Sequence, residues 1–207
     1  MGLYAIVTAD IIQSRKQEIP VASIRNSIDG FGSEYLAKPF AISRGDEIQG
    51  VLSEVGALPI LVRRLRYIVR PFRLRIGLSI GEIDKKELEN AGSSWDLSGI
   101  VFFDARTALD SAKQSKISNT FFVHDNEVLS IAMNTSLFLL ETVERGWTEK
   151  QWEAVHTYEA EGTYEKAAKV LGVTAPTVQE HCEKASWSVV RAAETGLAKL
   201  IVLSLGN

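Results

Sequence analysis

Two acidic positions early in the chain have the residue types and spacing for divalent-cation chemistry. Asp10 follows the apolar run Leu3–Ala9, within Thr8-Ala9-Asp10-Ile11-Ile12. Arg44-Gly45-Asp46-Glu47 separates two short apolar runs, Phe40–Ser43 and Ile48–Leu52, and reads as the tip of a hairpin. If the strand after that tip runs beside the first strand, Asp10 and Asp46 meet. Two carboxylates held close repel each other unless something positive intervenes. A hard cation such as Mg²⁺ is the usual answer, and it leaves positions open for phosphate oxygens.

The elements that must position these residues follow from periodicity. Leu3–Ala9 is short, apolar and β-favouring, and predicts a buried strand. Ile24, Ile28, Phe31 and Tyr35 recur at the spacing of one helical face, as do Leu58, Leu61, Val62, Leu65 and Ile68. Leu74, Ile76, Leu78 and Ile80 alternate with Arg73, Arg75, Gly77 and Ser79, the period of a strand. A polar loop is expected over 84–98, a helix over Gly99–Lys113, a strand over Thr120–Val123 and a connector helix over Glu127–Glu144. The order predicts an α+β domain over 1–125, a ferredoxin-like βαββαβ unit with one further αβ pair. The connector takes 126–146, and an all-α domain follows over 147–207.

Several segments resemble a known family. Thr8-Ala9-Asp10-Ile11 is similar to the first metal-binding strand end of class III nucleotide cyclases and GGDEF diguanylate cyclases, and Arg44-Gly45-Asp46-Glu47-Ile48 to the GGDEF hairpin. Leu74-Arg75-Ile76-Gly77-Leu78-Ser79-Ile80-Gly81 resembles their R-I-G and S-I-G strand, and Asp104–Lys113 their A-D-x-A-L-Y-x-A-K helix. More narrowly, Asp10-Ile11-Ile12-x-Ser14-Arg15, Ser43-Arg44-Gly45-Asp46-Glu47-x-Gln49-Gly50 and Gly81-Glu82-Ile83 resemble the SatD family, bacterial proteins that pair such a domain with a C-terminal helix-turn-helix. The resemblance implies a metal pair at Asp10 and Asp46, and a nucleotide site drawing on Asp10, Arg15, Arg44, Asp46, Glu47 and Arg106, with Lys16 nearby. Two departures bear on activity. Arg44 replaces the first glycine of GGDEF, and Phe103 stands where cyclases carry a ribose-binding Asn, with Arg106 next in the pattern. Three readings stay open: Mg²⁺-dependent phosphoryl transfer, nucleotide binding without turnover, or Arg44 or Arg15 paired with Asp46 or Asp10 and no ligand. The second is the expectation, with Mg²⁺ accompanying the nucleotide.

Beyond Gly146 the pattern is helical. Thr148 and Gln151 form a capping box, Gly162 ends that helix, and Thr163 caps the next. Gly172 marks a tight turn, after which Thr174 caps a third helix with Pro176 in its first turn. Val178, Cys182, Ala185 and Val189 recur as its buried face, so Cys182 belongs to the core. The run Ala167-Ala168-x-x-Leu171-Gly172-Val173-Thr174-x-x-Thr177-Val178 resembles the helix-turn-helix of LuxR-type regulators and sigma factor region four. That resemblance makes 174–187 a recognition helix, with Thr174, Thr177, Gln179, His181 and Lys184 facing DNA and Lys166 and Lys169 beside them. From Trp147 to Asn207 there are six Lys and Arg against eight Asp and Glu. Phosphate contacts dominate DNA affinity, so a module this acidic needs a dimer to bind well. Trp187, Val190, Leu197, Leu200, Ile201 and Leu203 extend a helical apolar stripe suited to such pairing or to packing on the first domain.

Composition sets the outer bounds. With 45% hydrophobic and 24% charged residues the chain is an ordinary globule, and its net charge of −3 gives no global field for nucleic acid or anionic membrane. The lone Cys182 forms no internal disulfide, the first residues carry no basic targeting region, and no run reaches membrane-spanning length. The sequence therefore predicts a cytoplasmic, homodimeric, DNA-binding regulator with a degenerate, nucleotide-sensing cyclase-like domain. A Mg²⁺-dependent cyclase and a ligand-free protein-interaction module are the alternatives.

Overall fold

The computed structural model describes residues 1–12, 21–43 and 46–206. It is a mixed α+β fold that divides into two compact units, one formed by Met1–Phe138 together with the chain from Leu197 onward, the other by Leu139–Gly196. Long-range packing groups the chain's last turns with its first unit, and periodicity along one helix does not encode that association.

The first unit is built on five strands, β1 (Gly2–Ile11), β2 (Leu36–Ile42), β3 (Glu47–Leu52), β4 (Leu74–Ile83) and β5 (Thr120–Val123). They lie in the order β2-β3-β1-β4-β5, antiparallel except for the parallel β4–β5 pair. Asp10 sits opposite Glu47 on one side and Arg75 on the other. β2 is an edge strand whose pairing with β3 shifts register twice, once on either side of Lys38.

Helices α1 (Val21–Ile28), α2 (Leu58–Ile68), α3 (Lys85–Asn90), α4 (Ile100–Gln114) and the start of α5 (Glu127–Arg145) belong to this unit. The expected helix through Phe31 and Tyr35 stops at Ile28. Gly30 and Gly32 follow at φ 70° and 67°, a left-handed conformation that glycine enters without a Cβ clash, so the helical phase is lost. Phe31 packs instead on Phe40 of β2, ring centroids 5.8 Å apart. The loop expected over 84–98 contains α3, which Asp84 caps by accepting from the amides of Lys86 and Glu87 at 2.9 and 3.1 Å.

One face of the sheet packs against α4. Ile6, Val51, Ile83, Leu88, Leu97, Val101 and Ala105 form a single buried cluster there. The approach is tightest at Gly77, where a Cβ would lie 2.1 Å from the Ala105 carbonyl oxygen and 2.3 Å from the Leu109 nitrogen. Only a residue without a side chain admits α4 at this depth.

The second unit contains α6 (Glu149–Glu161), α7 (Tyr164–Leu171) and α8 (Ala175–Lys184), with the end of α5 and the start of α9 (Trp187–Leu205). Trp147 and Trp152 meet edge-to-face at 4.6 Å, and the Trp147 indole donates to the Ala185 carbonyl at 2.8 Å. Tyr158 of α6 stacks on Tyr164 of α7 at 4.3 Å. The third helix is shorter than 174–187. It stops at Lys184, Ser186 turns left-handed at φ 53°, and α9 starts on a new phase. Val190 is therefore buried, while Val189, expected inside, is 63% exposed.

Gly77→Ala is expected to lower stability by about 1–3 kcal/mol through overpacking against α4. Urea unfolding should show the midpoint fall with little change in slope.

Candidate functional site

Asp10 ends a strand buried on both faces, and the sheet fixes its surroundings. Its carboxylate is buried, with Oδ1 3.5 Å from Nη1 of Arg75 and Oδ2 3.4 Å from Nζ of Lys113. Arg75 arrives by register, from the facing position on β4. Lys113 comes from the last turn of α4 and is shared with Asp110, also at 3.4 Å. Among the described residues Oδ1 accepts no hydrogen bond despite its burial, because the Arg75 contact is an ion pair without hydrogen-bond geometry. Burial pushes the Asp10 carboxyl above the usual carboxylate range. Lys113 and Arg75 oppose that rise, and Asp46 adds to it.

Glu47 is engaged differently. Both its oxygens accept from Arg106 of α4, Oε1 from Nη1 at 2.7 Å and Oε2 from Nη2 at 2.9 Å. This fork holds the Glu47 carboxyl below its ordinary range, chiefly through the hydrogen bonds, and raises the Arg106 guanidinium. The hairpin that presents Asp46 and Glu47 is closed by the Ser43 amide donating to the Glu47 carbonyl at 3.0 Å. Behind it, Gln49 donates to the Ser94 carbonyl at 2.7 Å and the Ser94 hydroxyl donates back to the Gln49 carbonyl at 3.0 Å.

The structure thus gathers Asp10, Asp46, Glu47 and Arg106, while Arg15, Lys16 and Arg44 lie outside the described residues. Arg75 and Lys113, which face Asp10, are not among the residues that motif and spacing single out. Strand register could have found Arg75, since it stands level with Asp10 on the neighbouring strand. Lys113 could have been found from its place one turn after Leu109 on the buried stripe of α4. A divalent cation does not fit this arrangement. Both Asp10 oxygens face fixed cations, both Glu47 oxygens are taken by Arg106, and the described residues hold no group of three His, Cys, Asp or Glu side chains placed for a metal. Near a protein surface, a doubly charged ion about 4 Å from one ammonium is repelled by about 8 kcal/mol. Phe103, at the cyclase Asn position, is 66% exposed and offers no hydrogen bond.

A family model described as "SatD family" matches residues 4–180. The chain belongs to the SatD family. No curated protein matched it. Among solved structures, this SatD-family chain is similar to the "Crystal Structure of Regulator of Polyketide Synthase Expression from Bifidobacterium adolescentis", at 14% identity and a TM-score of 0.31, covering 100% of this chain and 83% of that one. No helix among the described residues of this SatD protein is long and apolar enough to cross a membrane.

In the second unit, Thr174 caps α8 and its hydroxyl lies 2.8 Å from that of Thr177. Gln179 donates to Glu183 at 2.8 Å, and Lys184 to Glu180 at 2.6 Å, on the exposed side of α8. Lys166 and Lys169 project from α7 into solvent, and His181 is half-buried. Cys182 is buried, and burial pushes its thiol up to about 11.

The two carboxylates should respond oppositely to pH. Glu47 has a lowered folded pKa, so its stabilisation is present above the ordinary carboxylate range and is lost as pH falls through the folded value. Asp10 has a raised one, so the cost of ionising it appears as pH climbs from the unfolded value through the folded one. Glu47→Gln is expected to cost about 1 kcal/mol near neutrality, allowing for solvent screening, and that deficit should shrink between neutrality and the acid side of the ordinary carboxylate range. The stability of Asp10→Asn relative to the native chain should rise as pH climbs over the same span. Urea melts of both variants at the two ends of that span check the pair.

Proposed function

We propose that this SatD-family chain is a DNA-binding regulator whose first unit is a cyclase-like, ferredoxin-like domain that senses a nucleotide without turning it over. The observation that carries the DNA reading is the geometry of α7 and α8. Ala167 and Ala168 are buried, as are Val178 and Cys182, and Gly172 at φ 66° makes the turn between the helices. The first turn of α8 is thereby left polar and open, with Thr174 and Gln179 exposed and Thr177 half-buried beside them. Small residues at the crossing and a capped, outward N-terminal half are what a helix-turn-helix needs to enter a major groove.

Charge shapes how such binding works. Lys184 is neutralised along its own helix by Glu180, so Lys166 and Lys169 of α7 are the cations best placed for phosphate. Two such lysines give a small electrostatic term, and a homodimer doubles it. For the first unit, the strand order β2-β3-β1-β4-β5 supports the ferredoxin-like, cyclase-like reading. The Glu47–Arg106 fork and the exposed Phe103 favour sensing over cyclisation, because the groups a cyclase would turn toward substrate are absent or already engaged.

Selection from random-sequence DNA followed by a salt-dependent gel shift tests the DNA reading. Lys166→Glu/Lys169→Glu should weaken binding by about tenfold or more on all sequences and flatten the salt slope, whereas Gln179→Ala should relax sequence preference. A chain that enriches no sequence and shows no shift at low salt would remove DNA binding and leave a protein-interaction module. Calorimetry with a nucleotide panel tests the sensing half, and no heat of binding would end it.

A further inference from the structure

We propose that a groove on the first unit, between the β3–α2 loop and the last turns of α9, binds a free α-amino acid with a large apolar side chain, its ammonium met by Glu54 and its carboxylate by Lys199. The groove encloses about 580 Å³, a volume ordinary for a small-molecule site. All of its lining belongs to the first unit. Ala57, Ile60, Ala198, Val202 and Leu203 make it apolar, and Glu54 and Lys199 are the charged residues that line it. It opens at the far end of β3 from Glu47, roughly 16 Å along the strand, and shares no residue with the Asp10 cluster.

The local backbone explains why this space exists. The amides of Ser53 and Glu54 both donate to the Tyr35 carbonyl, at 2.9 and 3.3 Å, and the Ala57 amide donates to the Glu54 carbonyl at 3.0 Å. These bonds pin a single 3₁₀ turn over Val55–Ala57, directly ahead of α2. Gly56 in that turn faces α9. A Cβ there would lie 3.8 Å from Cγ2 of Val202, 3.9 Å from the Ala198 carbonyl oxygen and 3.4 Å from Oε1 of Glu54. The absent side chain leaves the groove open and keeps the Glu54 carboxylate at its wall.

Charge selects the ligand. Glu54 comes from the loop and Lys199 from the helix, yet they form no ion pair with each other. Neither side chain has another partner among the described residues. An aliphatic acid would satisfy Lys199 and be repelled by Glu54, and an amine would do the reverse. A molecule carrying both groups on one carbon satisfies the two together, while its apolar side chain covers the lining. The apolar contact supplies affinity and the paired charges supply discrimination.

Calorimetry of the full-length chain tests this, with L-tryptophan and L-leucine as probes. N-acetyl-L-tryptophan, which lacks the ammonium, and L-tryptophanamide, which lacks the carboxylate, serve as the comparison. L-tryptophan should bind saturably, and each blocked analogue at least about threefold more weakly. Glu54→Gln should remove the discrimination against the N-acetyl form, and Lys199→Met that against the amide. Gly56→Leu, which fills the groove from the turn, should abolish binding while leaving a native-like thermal melt. Absence of saturable binding by both amino acids would overturn the proposal, as would equal affinity for L-tryptophan and its blocked analogues. Discrimination that persists in both charge variants would overturn it too. If Gly56→Leu does not fold, the analogue series on the native chain decides alone. The titrations need neither nucleotide nor DNA, so their failure leaves the regulator reading standing.

Discussion

The seating of α4 on the sheet at Gly77 is the constraint from which the rest of the first unit follows. Without a side chain at that position, the Ala105 carbonyl and the Leu109 amide come within a bond length or two of where a Cβ would be. That depth lets two side chains of α4 reach the far end of β1 and the start of β3. Arg106 arrives at Glu47 and Lys113 at Asp10, each at ion-pair distance. A helix raised by one methyl group would still cover the apolar cluster of Ile6, Val51 and Val101.

The resulting cluster is balanced within itself. Buried or half-buried charges are tolerated only in pairs, and here pairing is divided between a well-formed fork and a looser triangle. The fork at Glu47 lowers its carboxyl pKa, and the triangle at Asp10 does not offset burial. The same few residues therefore contain one stabilising and one costly carboxylate. Costly charges kept at strand ends commonly mark sites retained for something other than stability.

Much of this is legible in the sequence, and what is not has identifiable physical causes. The five strands and most helices follow from period and from caps, because those signals are local. The break after Ile28 escapes a reading by period, since the apolar spacing continues through Gly30 and Gly32 while the helical backbone does not. The reset at Ser186 escapes it for the same reason, and it exchanges Val189 for Val190 in the core. At the site, Asp10, Glu47 and Arg106 are visible as types in a pattern. Their surroundings are not, because Lys113 is brought to Asp10 by helix–sheet packing and Arg75 by strand register, both of which are long-range.

The twin register shifts along β2 bear on how copies of this chain meet. An edge strand with regular backbone spacing offers a ladder of amides and carbonyls to any passing strand. Here the ladder is interrupted around Lys38 and Pro39, one a charge and the other a residue with no amide hydrogen to donate. Both features disfavour sheet extension across that edge. A second copy of this chain gains little by pairing along β2, so association of the first unit through that edge is disfavoured.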